Sequence, residues 1–222
     1  MGHRIIRINN EDNWHLNRSK GIGGSDAASI LGVNPWKTNL DLWREKTGRK
    51  KADDVSNVDA VLYGKKAEEY LRQLFMLDYP QYILNYAPYD IHYNNDYEFI
   101  RGTFDGELFD PEQFMLKGIF ECKTGTIKQK SDWLKWDKKI PQNYFCQVLH
   151  YFAIDNDYQF CKLKAQLKYI EPETGETVLT TKHYHINRDD YKSDIEYLIE
   201  EEIKFWEYVQ TDKEPPLKLP NI

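Results

Sequence analysis

Thr103-Phe104-Asp105-Gly106, followed by Gly118-Ile119-Phe120-Glu121-Cys122-Lys123, is the stretch whose reading decides this fold. Asp105 is expected at the end of a strand, where Gly106 permits a tight turn and leaves the carboxylate at a rim. Glu121 and Lys123 stand two apart in an aromatic and β-branched run. Strand alternation therefore puts both on one face and turns Cys122 into the opposite layer. Two carboxylates and an ammonium thus converge on one sheet edge.

Working outward, the periodicity predicts helices over 25–31 and 39–47, the second ended by Gly48. A longer helix is predicted over 58–77, with Val58, Val61, Leu62, Leu71, Leu74 and Phe75 inward. The period then shortens, and strands are predicted over 82–86, 89–93, 99–104 and 115–121. A helix over 142–154 follows, then strands over 159–170 and 177–186 joined by a turn at Pro172-Glu173-Thr174-Gly175. A last amphipathic helix over 190–209 would bury Tyr191, Ile195, Leu198, Ile199, Ile203 and Trp206. This order predicts a mixed α/β (α+β) fold, a central mixed sheet flanked by helices. No repeat or linker divides it, so one domain over 1–222 is expected.

Charged residues make up 30% of the 222 and hydrophobic ones 41%, as in soluble globular proteins. No apolar run approaches the roughly 20 residues of a membrane span, and the N-terminus lacks the apolar core of a signal peptide. Three cysteines without C-x-x-C spacing argue against a disulfide framework or structural zinc, and fit a reducing cytoplasm. The net charge of −6 argues against a nucleic-acid partner until its distribution is seen. Residues 117–139 hold seven lysines and three acids, and residues 1–51 ten basic residues and five acids. Eight acids against two lysines crowd residues 194–214. The acidity gathers at one end while the segments flanking the candidate site are locally basic.

The charges imply a chemistry. Oxygen ligands from Asp105, Glu121 and the Cys122 carbonyl suit Mg²⁺ or Mn²⁺. Two such ions about 4 Å apart can clamp the attacking and leaving oxygens of a phosphodiester. Lys123 is placed to orient or help deprotonate the attacking water. Glu68, within Gly64-Lys65-Lys66-Ala67-Glu68-Glu69, would complete the set from the preceding helix, although the same residues also read as a solvated surface.

Asp105 with Glu121-x-Lys123 has the form of the PD-(D/E)xK nuclease pattern, and other pieces stand around it in a specific order. Gly21-Ile22-Gly23-Gly24-Ser25-Asp26-Ala27-Ala28-Ser29-Ile30-Leu31-Gly32 is followed by Asn34-Pro35-Trp36-Lys37-Thr38 and Asp41-Leu42-Trp43-Arg44-Glu45-Lys46-Thr47-Gly48. Then come Gly64-x₃-Glu68, Asp105-Gly106, Glu121-x-Lys123, and Pro141, Tyr144, Gln147 and Tyr151. Over residues 18–154 the chain resembles the phage λ exonuclease and YqaJ-like viral recombinase family. The resemblance implies a restriction-endonuclease-like core and Mg²⁺-dependent 5′→3′ exonuclease resection of linear double-stranded DNA in the host cytoplasm, encoded by phage or prophage. It implies metal binding by Glu68, Asp105, Glu121 and the Cys122 carbonyl, Lys123 acting on water, and Gln147 in the active site, with Tyr151 one turn later.

Family members that work from a 5′ end use a phosphate pocket. Arg18 and Ser25 stand at the matching spacing, with Thr103 in place of a serine, and Tyr151 is assigned with them to DNA binding. Ser25 also reads as an ordinary helix cap, and Arg18 as a surface charge. Phe104 departs from the family's proline. A single-strand annealing protein as partner and a ring-shaped homotrimer are implied by the resemblance alone. The rival readings are an endonuclease or a nuclease of other polarity on the same core, and a DNA-binding protein without catalysis. Trp133 and Trp136, three apart among lysines, suit base stacking or ordinary packing. His183 and His185 would share one strand face, packed, solvated or on a metal.

Overall fold

The computed structural model describes residues 4–219, so the first and last three residues of the expected 1–222 domain lie outside it. Its centre is β6 (Leu116–Thr126), in a five-stranded sheet with β2 (Ile83–Asn85), β5 (Gly106–Asp110), β7 (Tyr158–Ile170) and β8 (Thr177–Asn187). The order is β2-β5-β6-β7-β8, and only β6 and β7 run parallel. A parallel pair needs a crossover, and α6 (Gln142–Ile154) supplies it. A smaller antiparallel sheet joins β1 (Arg4–Ile6), β3 (Ile91–Tyr93) and β4 (Arg101–Gly102).

Gly118 to Cys122 is buried without interruption, because β6 is covered on both faces. On one face Ile119 meets α6, α2 (Gly24–Ile30) and α7 (Lys192–Gln210) through Ala27, Val148, Phe152, Ile195 and Leu198. On the other, Phe120 and Cys122 pack on Leu71 and Phe75 of α4 (Asp59–Asp78). The Cys122 side chain thus lies in the layer that alternation assigns it. A third cluster joins α3 (Asn39–Lys46) to α2 and α7 through Leu42, Trp43, Ile30 and Phe205.

Several expectations are corrected. The strand expected over 99–104 is the two-residue β4, and β5 was not foreseen. Asp105 therefore sits between strands of two different sheets rather than at the end of one. Strand β6 runs on to Thr126, five residues past its expected end. Short β1, α5 (Lys130–Lys135) and the largely polar α1 (Glu11–Arg18) were also missed. In α1 the only signal was the cap, where the Asn10 side chain accepts from the Asn13 N–H at 2.8 Å. In α4 only the stripe around Ala67, Leu71 and Phe75 reaches the sheet, while Val58, Leu62 and Leu74 remain exposed. The inward face of α7 is Ile195, Leu198, Glu202 and Phe205, with Ile203 and Trp206 half-buried.

Glu202 was hidden from an apolar period because its partner comes from α6. His150 Nδ1 lies 2.7 Å from Glu202 Oε1 and Nε2 lies 2.9 Å from the Arg101 carbonyl, with both side chains fully buried. Burial disfavours the imidazolium, but the Glu202 carboxylate outweighs it and raises the His150 pKa above its ordinary 6.5. A histidine with a raised folded-state pKa contributes fully below pH 6.5 and loses that contribution as pH rises through the raised value. Glu202→Gln, which keeps the shape but removes the charge, is expected to cost about 1.5–3 kcal/mol below pH 6.5. The gap to wild type should narrow as pH rises, and urea melts at several pH values check this. A gap that does not change with pH would show that the pair is not charged.

Helix α2 approaches α6 closely at Gly24. A Cβ there would meet the Tyr151 ring at 2.7 Å and the Gln147 side chain at 2.9 Å. Gly24→Ala is expected to cost about 1–3 kcal/mol by overpacking, against little for Ser25→Ala. Chemical denaturation of the two variants makes the comparison.

Candidate active site

Alternation along β6 points Glu121 and Lys123 toward α6, where Gln147 and Tyr151 stand one turn apart. Gln147 Nε2 donates to Glu121 Oε1 at 2.9 Å, and the Lys123 ammonium contacts the same oxygen. The Gln147 amide also lies 2.6 Å from the Tyr151 hydroxyl, which reaches the Thr103 carbonyl at 3.2 Å. Glu121 is 1% exposed, and its other oxygen, Oε2, is buried without a hydrogen-bond partner. A buried carboxylate in a central strand is costly unless it is paired.

Asp105 enters between β4 and β5. Its Oδ2 accepts the Cys122 N–H at 2.9 Å and lies 3.3 Å from Cys122 Sγ, which ties the loop to β6. Arg72, one turn past Glu68 on α4, donates to the Asp105 carbonyl at 2.9 Å and lies 3.4 Å from the centre of the Tyr86 ring. Glu68 reaches the site half-buried from the α4 side. The departure at Phe104 has a packing reason. Its ring is 4% exposed and packs edge-on against Tyr151 and Tyr158 and stacks on His92, fixing the backbone beside Asp105.

The electrostatics follow from this crowding. Burial, then the Asp105 charge, pushes Glu121 up to about 8 and Glu68 up to about 7. Burial works against the Lys123 charge, but Glu121 and Asp105 overcome it, so its pKa rises and the ammonium persists. Among the described residues, no three side chains of His, Cys, Asp or Glu are gathered closely enough to form a metal-holding group. The donor set nevertheless suits a hard cation. It offers Glu68 and Glu121, both raised by burial and by the nearby Asp105 charge, and one buried oxygen with no partner in the protein.

Glu68, Asp105, Glu121, Cys122, Lys123, Gln147 and Tyr151 all line one cleft of about 560 Å³, together with Arg18, Ser25 and Thr103. Arg18 Nη2 donates to Ser25 Oγ at 2.9 Å. Ser25 is the second residue of α2, after the Gly23 cap, rather than the cap itself. Trp14, which sequence reading missed, donates from Nε1 to Thr103 Oγ1 at 2.9 Å and lies under the Arg18 guanidinium at 4.9 Å. Arg72 and Tyr86 were missed too. For Arg72 the available signal was its i+4 spacing from Glu68.

Other candidates lie elsewhere. Trp136 is 5% exposed and packs on Tyr144 and Tyr184, and Trp133 packs edge-on against Tyr169, so packing accounts for both. His183 lies beside Asp78 at 3.8 Å and near Tyr79, and His185 lies against Phe160. All three cysteines are free and buried. No helix among the described residues is long and apolar enough to cross a membrane.

Comparison with known proteins bears on the family and the fold. The chain is 31% identical over 199 residues to the uncharacterized protein YqaJ of Bacillus subtilis (strain 168). The match takes in 88% of this chain but 55% of that protein, so the chain spans about half the length of this relative. Among solved structures it shares the fold of LHK-Exo, an alkaline exonuclease from Laribacter hongkongensis, at a TM-score of 0.64 and 15% identity, over 91% of this chain and 94% of that one. LHK-Exo in complex with dAMP aligns over the same shares at a TM-score of 0.60 and 14% identity. The family profile of the YqaJ-like viral recombinase domain matches residues 13–159, which include every cleft residue named above. The chain belongs to the YqaJ-like viral recombinase domain family.

Proposed function

We propose that this protein is a metal-dependent deoxyribonuclease that resects linear double-stranded DNA as a 5′→3′ exonuclease. The observation that carries the reading is the convergence of Glu68, Asp105, Glu121, Lys123 and Gln147 on one cleft, around a buried carboxylate oxygen with no partner. Membership in a recombinase family and a fold shared with an alkaline exonuclease support it. A single-strand annealing partner and a trimeric ring belong to the same reading.

Glu68, Asp105, Glu121 and the Cys122 carbonyl would hold Mg²⁺, or Mn²⁺ in its place, with two ions as the expected number. Bound there, the metal would withdraw charge from the scissile phosphate and make nearby water more acidic. The protein groups divide the remaining work. Lys123 stays protonated and donates, so it orients the attacking water and neutralises charge rather than serving as the base. Gln147 and Tyr151 hold Glu121 in place from α6. Arg72 steadies the Asp105 backbone. Arg18, Ser25 and Thr103 would receive a terminal 5′-phosphate near the start of α2.

Carboxyl groups raised to about 7 and 8 must lose protons before a cation binds them. With folded-state values above the ordinary 4.5, Glu68 and Glu121 reduce stability as pH rises from 4.5 to about 8, and a cation reverses that loss. Cleavage of linear duplex DNA with Mg²⁺ should therefore climb between pH 6 and 8.5, and Mg²⁺ should raise the melting temperature more at the higher pH. Lys123→Ala should lower the rate by about 10²-fold or more. An unchanged rate would remove Lys123 from the site, and cutting of covalently closed circles would replace the exonuclease by an endonuclease. DNA binding without cleavage in either Mg²⁺ or Mn²⁺ would leave a binding protein.

The phosphate pocket has its own test. Removing the 5′-phosphate from the substrate should slow the wild type, and Arg18→Ala should be equally slow on both substrates. Wild-type rates that ignore the 5′-phosphate would dismiss the pocket.

A further inference from the structure

The lysine-rich run after β6 is not used by the active cleft. Its C-terminal part forms one wall of a separate groove of about 600 Å³, closed on the other side by β8 and Tyr191. Lys135, Lys138 and Lys139 line it with His185, and no carboxylate does. That is a marked local excess in a chain of net charge −6. Lys135 pairs with Asp132 at 3.0 Å, whereas Lys138 and Lys139 are exposed and have no ion pair among the described residues. Asp137 and Asp190 stand near Tyr184 and His185 without entering the lining.

The groove also has an apolar and aromatic side. Phe145 and Tyr191 meet edge-on with ring centres 4.9 Å apart, and Leu134 is 56% exposed. Lysines beside half-buried rings are the combination that holds single-stranded nucleic acid, through phosphate contacts and base stacking. An acidic peptide would use the charges but has no need of the rings. The groove also lies next to the active cleft. Phe145 lines it, while the adjacent Tyr144 lies under the Lys123 ammonium at 5.1 Å and packs on Trp136.

We infer that this groove binds single-stranded DNA, namely the strand left intact as its complement is degraded. The identity of the strand rests on the duplex-resection reading, but the groove's preference for single-stranded DNA does not. Two phosphate contacts, at Lys138 and Lys139, would make strand binding weaken with salt.

The test is fluorescence anisotropy with a labelled oligothymidylate in EDTA, where no cleavage occurs. Lys138→Glu/Lys139→Glu should weaken binding at least tenfold and flatten the slope of log affinity against log salt by about 1.4, two contacts at about 0.7 each. Lys192→Glu/Lys204→Glu, with the same change in net charge, should retain the wild-type slope. Equal losses in both variants, or no loss in the first, would overturn the groove. So would displacement of the oligonucleotide by polyglutamate at the concentrations at which unlabelled DNA displaces it. On the unmutated protein, photocrosslinking through 5-iododeoxyuridine should label Phe145, Tyr191 or His185, and adducts found only elsewhere would overturn it. Strand binding that depends on Lys138 and Lys139 in a protein that cuts no DNA would support the groove and sink the nuclease. Normal cleavage with strand binding unaffected by the double variant would do the reverse.

Discussion

The structure depends on one constraint, a carboxylate in the middle of a strand that is buried on both faces. Glu121 is nearly inaccessible, yet its neighbours are arranged around it rather than against it. Lys123 and Gln147 share one of its oxygens, while burial and then the Asp105 charge raise its pKa and the second oxygen stays unpartnered. A strand of this kind ordinarily carries an unbroken apolar run. Breaking the run with a charged group at a buried position costs stability, and such costs concentrate where chemistry needs them.

The surrounding elements can be understood by what they do for that point. Helix α6 crosses between the parallel strands and brings Gln147 and Tyr151 to it, and Gly24 lets α2 come close enough to brace both. The buried His150–Glu202 pair ties the same helix to α7 and to the Arg101 carbonyl, one residue before Gly102 and two before Thr103. From the other face, α4 contributes Glu68 and Arg72 while its Leu71 and Phe75 anchor it on Phe120. Phe104 holds the backbone beside Asp105 by packing on Tyr151 and Tyr158. The result is a cleft whose walls are fixed by core contacts, so its polar groups need little rearrangement to act.

The uneven charge of the chain also finds a place in the fold. The lysines around 135–139 do not enter the cleft but border a groove beside it, across the Trp136–Tyr144 contact. The acidic C-terminal helix presents Ile195, Leu198 and Phe205 to the core and leaves most of its carboxylates outward, apart from Glu202 and the largely covered Glu201. Net charge alone would have hidden both features.

By itself, the sequence determined the mixed α/β class and the 142–154 helix to the residue, because period and spacing are local properties of a chain. Spacing also singled out Asp105, Glu121 and Lys123 as candidates, while Glu68 and Gln147 entered through the family resemblance, and the fold brings all five to one cleft. The tertiary structure decided that Asp105 lies between two sheets, that Trp14 and Tyr86 line the cleft while Arg72 holds the Asp105 backbone beside it, and that Glu202 is buried. Each of these depends on a partner distant in sequence. Arg72 is defined by the Asp105 carbonyl, Trp14 by Thr103, and Glu202 by His150. A pattern read along one chain cannot report a hydrogen bond that only folding brings within reach.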